Sequence, residues 1–111
     1  VYHAAASISS NFLIALEQTA AELLGGIGIE EPRRVLAPLV SRSVANWSAD
    51  GATALTGPIA RGDEATVSAH RAALAERRPD LTGMYDELAA RTRTIATEAG
   101  FPARSVGDST E

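Results

Sequence analysis

Two residue types are missing altogether from this chain of 111 residues: cysteine and lysine. Without cysteine there is no disulfide framework, no thiolate nucleophile and no thiolate zinc or iron–sulfur site, which suits a reducing compartment such as the cytoplasm. Without lysine, any mechanism that needs a Schiff base or a lysine general acid is excluded, and all ten basic residues are arginine. Positive charge is scarce as a whole. Ten basic against 14 acidic residues leave a net charge of -4 and a pI near 5.1, with none of the clustered excess of Lys and Arg that a nucleic-acid surface needs. Long apolar runs are also absent: the stretch from Phe12 to Leu16 is ended by Glu17 and Gln18, far short of a bilayer span.

What is present fits one soluble domain with a single modest core, since 45% of residues are apolar and the mean hydropathy is -0.02. The chain opens on Val1 with helical periodicity almost at once, as expected of a piece cut from a longer polypeptide. A first helix is predicted from about His3 to Leu24, where Ile8, Phe12, Leu16, Ala20 and Leu23 recur at helical spacing and Leu13, Ile14, Ala21 and Leu24 fill the opposite side. A helix that is apolar nearly all round must be covered on more than one side, so it is either central to the domain or shared with a partner. Gly25, Gly26 and Gly28 stop it.

Pro32 suits the first turn of a second helix, whose face carries Leu36, Leu39, Val40, Val44 and Trp47 and which should bend at Pro38. Residues 48–62 read as a loop with little periodicity, and a loop of that length is more often functional than filler. Asp63 is placed to cap a third helix through the N–H of Ala65 or Thr66; that helix carries Val67, His70 and Leu74 on one face, with His70 expected as a partly buried core residue, and ends before Pro79. Asp80 is expected to cap a fourth helix bearing Leu81, Met84, Leu88, Ile95 and Ala99, with Glu87 and Arg91 paired across one turn and Gly100 and Pro102 ending it. The architecture expected is therefore all-α, with four main helices and a long central first helix. Residues 1–102 form the domain and 103–111 a frayed tail.

Candidate chemistry gathers in two places. His3, Ser7, Ser10, Asn11 and Gln18 run along one side of the otherwise apolar first helix, and an inward polar stripe has to be hydrogen-bonded by something, a ligand included. His3 contributes an imidazole able to donate or accept a proton. The second place is the segment 54–63, ALTGPIARGD, where Thr56 offers a hydroxyl, Gly57 and Gly62 permit close backbone approach, and Arg61 can fork onto a carboxylate or phosphate. Its Arg61-Gly62-Asp63 tripeptide matches a cell-adhesion motif, but Asp63 is better accounted for as a helix cap. No histidine pair at metal-ligand spacing occurs, so no metal site is expected. The glycines at 25, 26 and 28 lack the preceding strand of a phosphate cradle.

Tyr2-His3-Ala4-Ala5-Ala6, Ser10-Asn11-Phe12-Leu13 and the segment 54–63 together resemble the C-terminal helical domain, of unknown function, of short Rossmann-like NAD(P)-dependent oxidoreductases. That domain is similar in fold to the C-terminal domain of 6-phosphogluconate dehydrogenase. The resemblance implies a substrate-binding and dimerisation domain that packs on an N-terminal Rossmann domain of the same polypeptide, absent from this chain, and that is inactive alone. It also implies NAD(P) in the whole protein, held mainly by the other domain, a homodimer, a small acidic substrate, a cytoplasmic setting, and neither nucleic acid nor membrane as partner. His3 would then be the proton donor, and Ser7, Ser10, Asn11, Thr56, Gly57 and Arg61 would face nicotinamide and substrate. Relatives such as ketopantoate reductase and the 3-hydroxyacid dehydrogenases place a lysine on the equivalent helix as proton donor. This chain has none, and His3 is the substitute candidate. The rival reading is a non-catalytic helical interaction module.

Overall fold

A computed structural model of the protein describes residues 1–102; the expected frayed tail, 103–111, lies outside the described residues. Every regular element among them is helical: α1 (Tyr2–Ser9), α2 (Asn11–Gly26), α3 (Pro32–Asp50), the single turn α4 (Pro58–Arg61), α5 (Glu64–Arg77) and α6 (Thr82–Glu98), with 3-10 turns at Gly51–Ala54 and Pro79–Leu81. The protein is all-α. Its four main helices are α1 with α2, then α3, α5 and α6. The first is interrupted only at Ser10, where the ladder persists: Ser10 N donates to the Ala6 carbonyl at 2.9 Å and Ile14 N to the Ser10 carbonyl at 3.1 Å.

Helix α2 runs through Gly25 and Gly26, and it stops where the N–H groups of Ile27 and Ile29 both turn back to the Leu24 carbonyl, at 3.2 and 3.1 Å. Helix α3 starts at Pro32 as expected, and Pro38 lies inside it without ending it. The expected fifteen-residue loop is largely helical instead. Residues 48–50 finish α3, a 3-10 turn follows at Gly51–Ala54, and α4 occupies four of the remaining residues. Elements this short present too few turns for a periodic pattern to be read.

The expectation for Asp80 is also corrected. Helix α6 begins at Thr82 without a side-chain cap; Asp80 sits in the preceding 3-10 turn and accepts two hydrogen bonds from Arg78, each 3.0 Å. An adjacent guanidinium outcompetes backbone N–H groups for a carboxylate because the bond is charge-assisted and bidentate. At its far end α6 closes as expected around Gly100, with Phe101 N donating to the Ala96 carbonyl at 2.9 Å and Gly100 N to Thr97 at 3.1 Å, the paired bonds of a Schellman end.

The chain divides into two compact units, Val1–Ala45 and the residues from Asn46 onward, so the boundary falls inside α3. The first unit contains no buried residue, and within it α2 and α3 leave the 27–31 turn without packing on each other. The second unit packs α4 and α5 on α6. Its buried apolar residues are Ala60, Val67, Ala89 and Ala96, small side chains that let helix backbones approach closely.

Polar bridges finish the α5–α6 contact. Arg71 grips Asp86 through Nε at 2.6 Å and a terminal nitrogen at 3.0 Å, and Arg93 reaches Glu64 at 3.6 Å. His70 is exposed rather than partly buried: it lies at the edge of the Val67 face, where α6 supplies a polar partner, and its Nδ1 meets the Tyr85 hydroxyl at 3.1 Å. Burial pushes the Tyr85 phenol above its ordinary range. The expected Glu87–Arg91 pair is not among the ion pairs of the described residues.

The hydrogen bonds from Arg71 hold Asp86 below the ordinary aspartate value of 3.8, as those from Arg78 do for Asp80. A carboxyl whose folded value is depressed stabilises the fold above its unfolded value and loses that contribution as pH falls through the folded one. The thermal midpoint should therefore be level through mildly acidic pH and fall below about pH 4, the unfolded aspartate range. Asp86→Asn should start lower at neutral pH and show a smaller acid decline. An equal decline in variant and wild type, followed by circular dichroism, would show the pair to be idle.

Candidate functional site

The segment the sequence singles out becomes a corner in which two glycines set the backbone and one aspartate fastens it. Gly57 adopts φ 92 and ψ 177, a region essentially closed to residues with a Cβ. Pro58 then opens α4, where a missing N–H costs nothing, and Ala60 of that turn is buried. Gly62, also buried, reverses the chain at φ 72 and ψ 27, with its own N–H donating to Ile59 at 3.1 Å and that of Asp63 to Pro58 at 2.8 Å.

Asp63 caps α5 as expected. Its carboxylate accepts from the Thr66 N–H at 3.2 Å and from the Thr66 hydroxyl at 2.7 Å. This engagement explains the Arg-Gly-Asp tripeptide as local structure. Arg61, at the end of α4, stands 3.9 Å from the same carboxylate with its side chain 62% exposed, so its guanidinium has donors directed outward. Thr56, two residues before α4, is exposed.

On the inner side of the corner lies a pocket of about 120 Å³ lined by Ile59, Gly62, Glu64, Arg93, Thr97 and their neighbours. Ligand pockets for whole cofactors run to about 300–1,000 Å³. This one admits only a small group. Arg93 and Glu64 at its rim were not legible as a pair, because they come from α6 and α5 and no spacing within one helix connects them.

The other candidates belong to the first unit. His3, Ser7, Ser10 and Asn11 follow one another along α1 and the start of α2; Ser7 is half-buried and the other three are exposed. The His3 ring makes an edge contact with Tyr2, 5.9 Å between centroids at 71°. Thr56, Gly57 and Arg61 are brought together on the corner of the second unit. Among the described residues no group of three or more His, Asp or Glu is arranged to hold a metal ion, and no helix is long and apolar enough to cross a membrane. What the corner offers chemically is an exposed guanidinium able to hold a small anion through directed hydrogen bonds.

A family model described as a domain of unknown function, DUF2520, matches residues 1–92. The chain belongs to that family. No curated protein and no solved structure matches it. The DUF2520 match takes in both candidate groups, the polar positions of α1 and α2 and the whole of the 54–63 corner, and ends inside α6.

The corner yields a stability test for this DUF2520 domain. Nothing lies within 4 Å of the position a Cβ on Gly57 would take, so Gly57→Ala is resisted by backbone conformation alone and should cost about 1–3 kcal/mol. Asp63→Ala should cost about 1 kcal/mol through the lost cap. Urea unfolding measures both; a Gly57→Ala variant as stable as wild type would show that the corner relaxes.

Proposed function

We propose that this DUF2520 domain is the C-terminal substrate-binding and dimerisation domain of an NAD(P)-dependent oxidoreductase, similar in fold to the C-terminal domain of 6-phosphogluconate dehydrogenase. One observation carries the reading: α1 and α2 bury none of their residues, and leave large apolar groups such as Phe12 and Ile14 57% and 66% exposed. Such faces are built to be covered by another domain or chain. On this reading His3 donates a proton, Ser7, Ser10, Asn11 and Thr56 hydrogen-bond substrate or nicotinamide, Gly57 lets the backbone approach, and Arg61 anchors an acidic group.

The described residues do not themselves fit a dinucleotide. They include no strand, hence no strand, glycine turn and helix for a pyrophosphate, and the corner pocket is too small. On this reading, which the family resemblance supplies, a Rossmann domain elsewhere in the polypeptide holds the coenzyme, and this domain alone is inactive. The same uncovered helices serve a non-catalytic interaction module equally well; the exposed, doubly fastened Arg61 corner favours a ligand.

Calorimetric titration of the protein that carries both domains separates the two. Saturable binding of NADH or NADPH is expected, and none is expected of a module. With short 2-oxo acids as probes, Arg61→Ala should weaken binding by about ten- to a hundredfold, the worth of a hydrogen bond to a charged group, while the thermal midpoint hardly moves. A sharp fall in midpoint with affinity unchanged would make the corner structural.

A further inference from the structure

We infer that the gap between α2 and α3 is an interlocking surface for a second copy of this chain, in which the acidic α2 of each copy lies along the arginine-bearing stretch of the other's α3. The inference rests on the dimerising role proposed above and assigns its surface.

Two helices joined by a short turn ordinarily close on each other, because each has an apolar stripe to bury. Here they diverge. The space left between them is open on both sides of Arg33, with openings of about 280 and 480 Å³. Its walls are apolar at Ala21, Leu36 and Val40 and charged at Glu17 and Arg33. On α3, Val35, Leu39 and Val44 also stand exposed. No segment of the described chain covers these residues, and large apolar exposure of this kind marks an interaction surface.

Charge distribution selects the occupant. Over α1 and α2 the only carboxylates are Glu17 and Glu22 and there is no arginine, whereas α3 up to Ala45 carries Arg33, Arg34 and Arg42 and no carboxylate. A partner of one sign would match one wall and oppose the other. A two-fold pair matches both, because an isologous interface repeats each contact: wherever α2 meets α3 of the other copy, α3 meets its α2. Complementary potentials of this sort set orientation and suppress wrong partners, while the exposed apolar residues of α3, Val35, Leu39 and Val44, add apolar area to the contact.

Sedimentation of the 111-residue chain tests this. Wild type should be a dimer. Reversing one wall, either Glu17→Arg with Glu22→Arg or Arg33→Glu with Arg42→Glu, should raise the dissociation constant about tenfold or more, since several pairs turn repulsive at once. Mixing the two reversed chains should restore a dimer of the wild-type kind, because at both contacts a wall with arginine at the exchanged positions then faces a wall that carries carboxylates. No rescue on mixing would overturn the inference. A dimer indifferent to both reversals would also overturn it and leave the dimerising role standing on another surface; a monomeric wild type would end both, leaving the ligand-binding role to its titration. Should a reversal cost helical signal, Gln18→Cys and Ser41→Cys chains mixed with a short thiol-reactive linker replace it. Mixed cross-linked dimers in excess of like-with-like dimers support the interface, and their absence refutes it.

Discussion

The junction at Gly62 and Asp63 is the constraint on which the second unit depends. Within two residues the chain leaves α4, reverses in the left-handed region and enters α5 under a carboxylate that fastens both the backbone and the hydroxyl of Thr66. Ala60 just before it and Val67 just after it are both buried. One turn thus decides where two elements enter the core, and Arg61 is carried outward as a geometric consequence of burying Ala60 beside it. The position of the arginine has a local cause: it is held by its neighbours' packing, without a buried partner of its own.

That core is small for a chain of this length. Three alanines and a valine are its buried apolar residues, and among the described residues no large side chain is fully buried. Hydrophobic stabilisation scales with apolar area removed from water, at roughly 25 cal/mol per Å², so alanine contacts contribute mainly by letting backbones approach, and the charged bridges across α5 and α6 serve as orienting clamps. The first unit has no buried residue at all. Residues such as Ile8, Phe12, Ile14 and Leu39 are nonetheless chosen as if for an interior. This mismatch between sequence and burial is the observation on which the proposed covering by another surface rests: an apolar-all-round helix is readable in the sequence, whereas nothing in the sequence names what would cover it.

The legible features were those fixed by one residue and its immediate neighbours. Pro32 as a helix start, Asp63 as a cap, Gly100 as a stop and the helical class itself all follow from local stereochemistry, and each is found where the spacing put it. The errors arose where a second element intervened. Asp80 had the right position to cap α6, but Arg78 claimed it; His70 had the right face for the core, but Tyr85 from α6 offered a polar partner at the edge. The segment 48–62 looked structureless because its helices are one turn long. Of the candidate site, the corner was readable because glycine, proline and aspartate report their backbone roles directly, whereas Arg93 and Glu64 meet only through the packing of α6 on α5.

The absence of lysine shapes any chemistry attributed to this domain. A guanidinium does not release its proton at physiological pH, so Arg61 can fix and neutralise an anion but cannot pass a proton to a carbonyl oxygen. Binding and proton transfer must therefore reside in different groups, and the corner can supply only the first. Within the chain the imidazoles are His3 and His70. His70 is already engaged with Tyr85 on the α5–α6 seam, leaving His3, whose ring contacts Tyr2 from an exposed position at the start of α1. A hydrogen bond from an exposed imidazole competes with water and gains force only once water is excluded around it. The proton-transfer role proposed for His3 thus depends on the same covering of the first unit that its uncovered apolar residues demand.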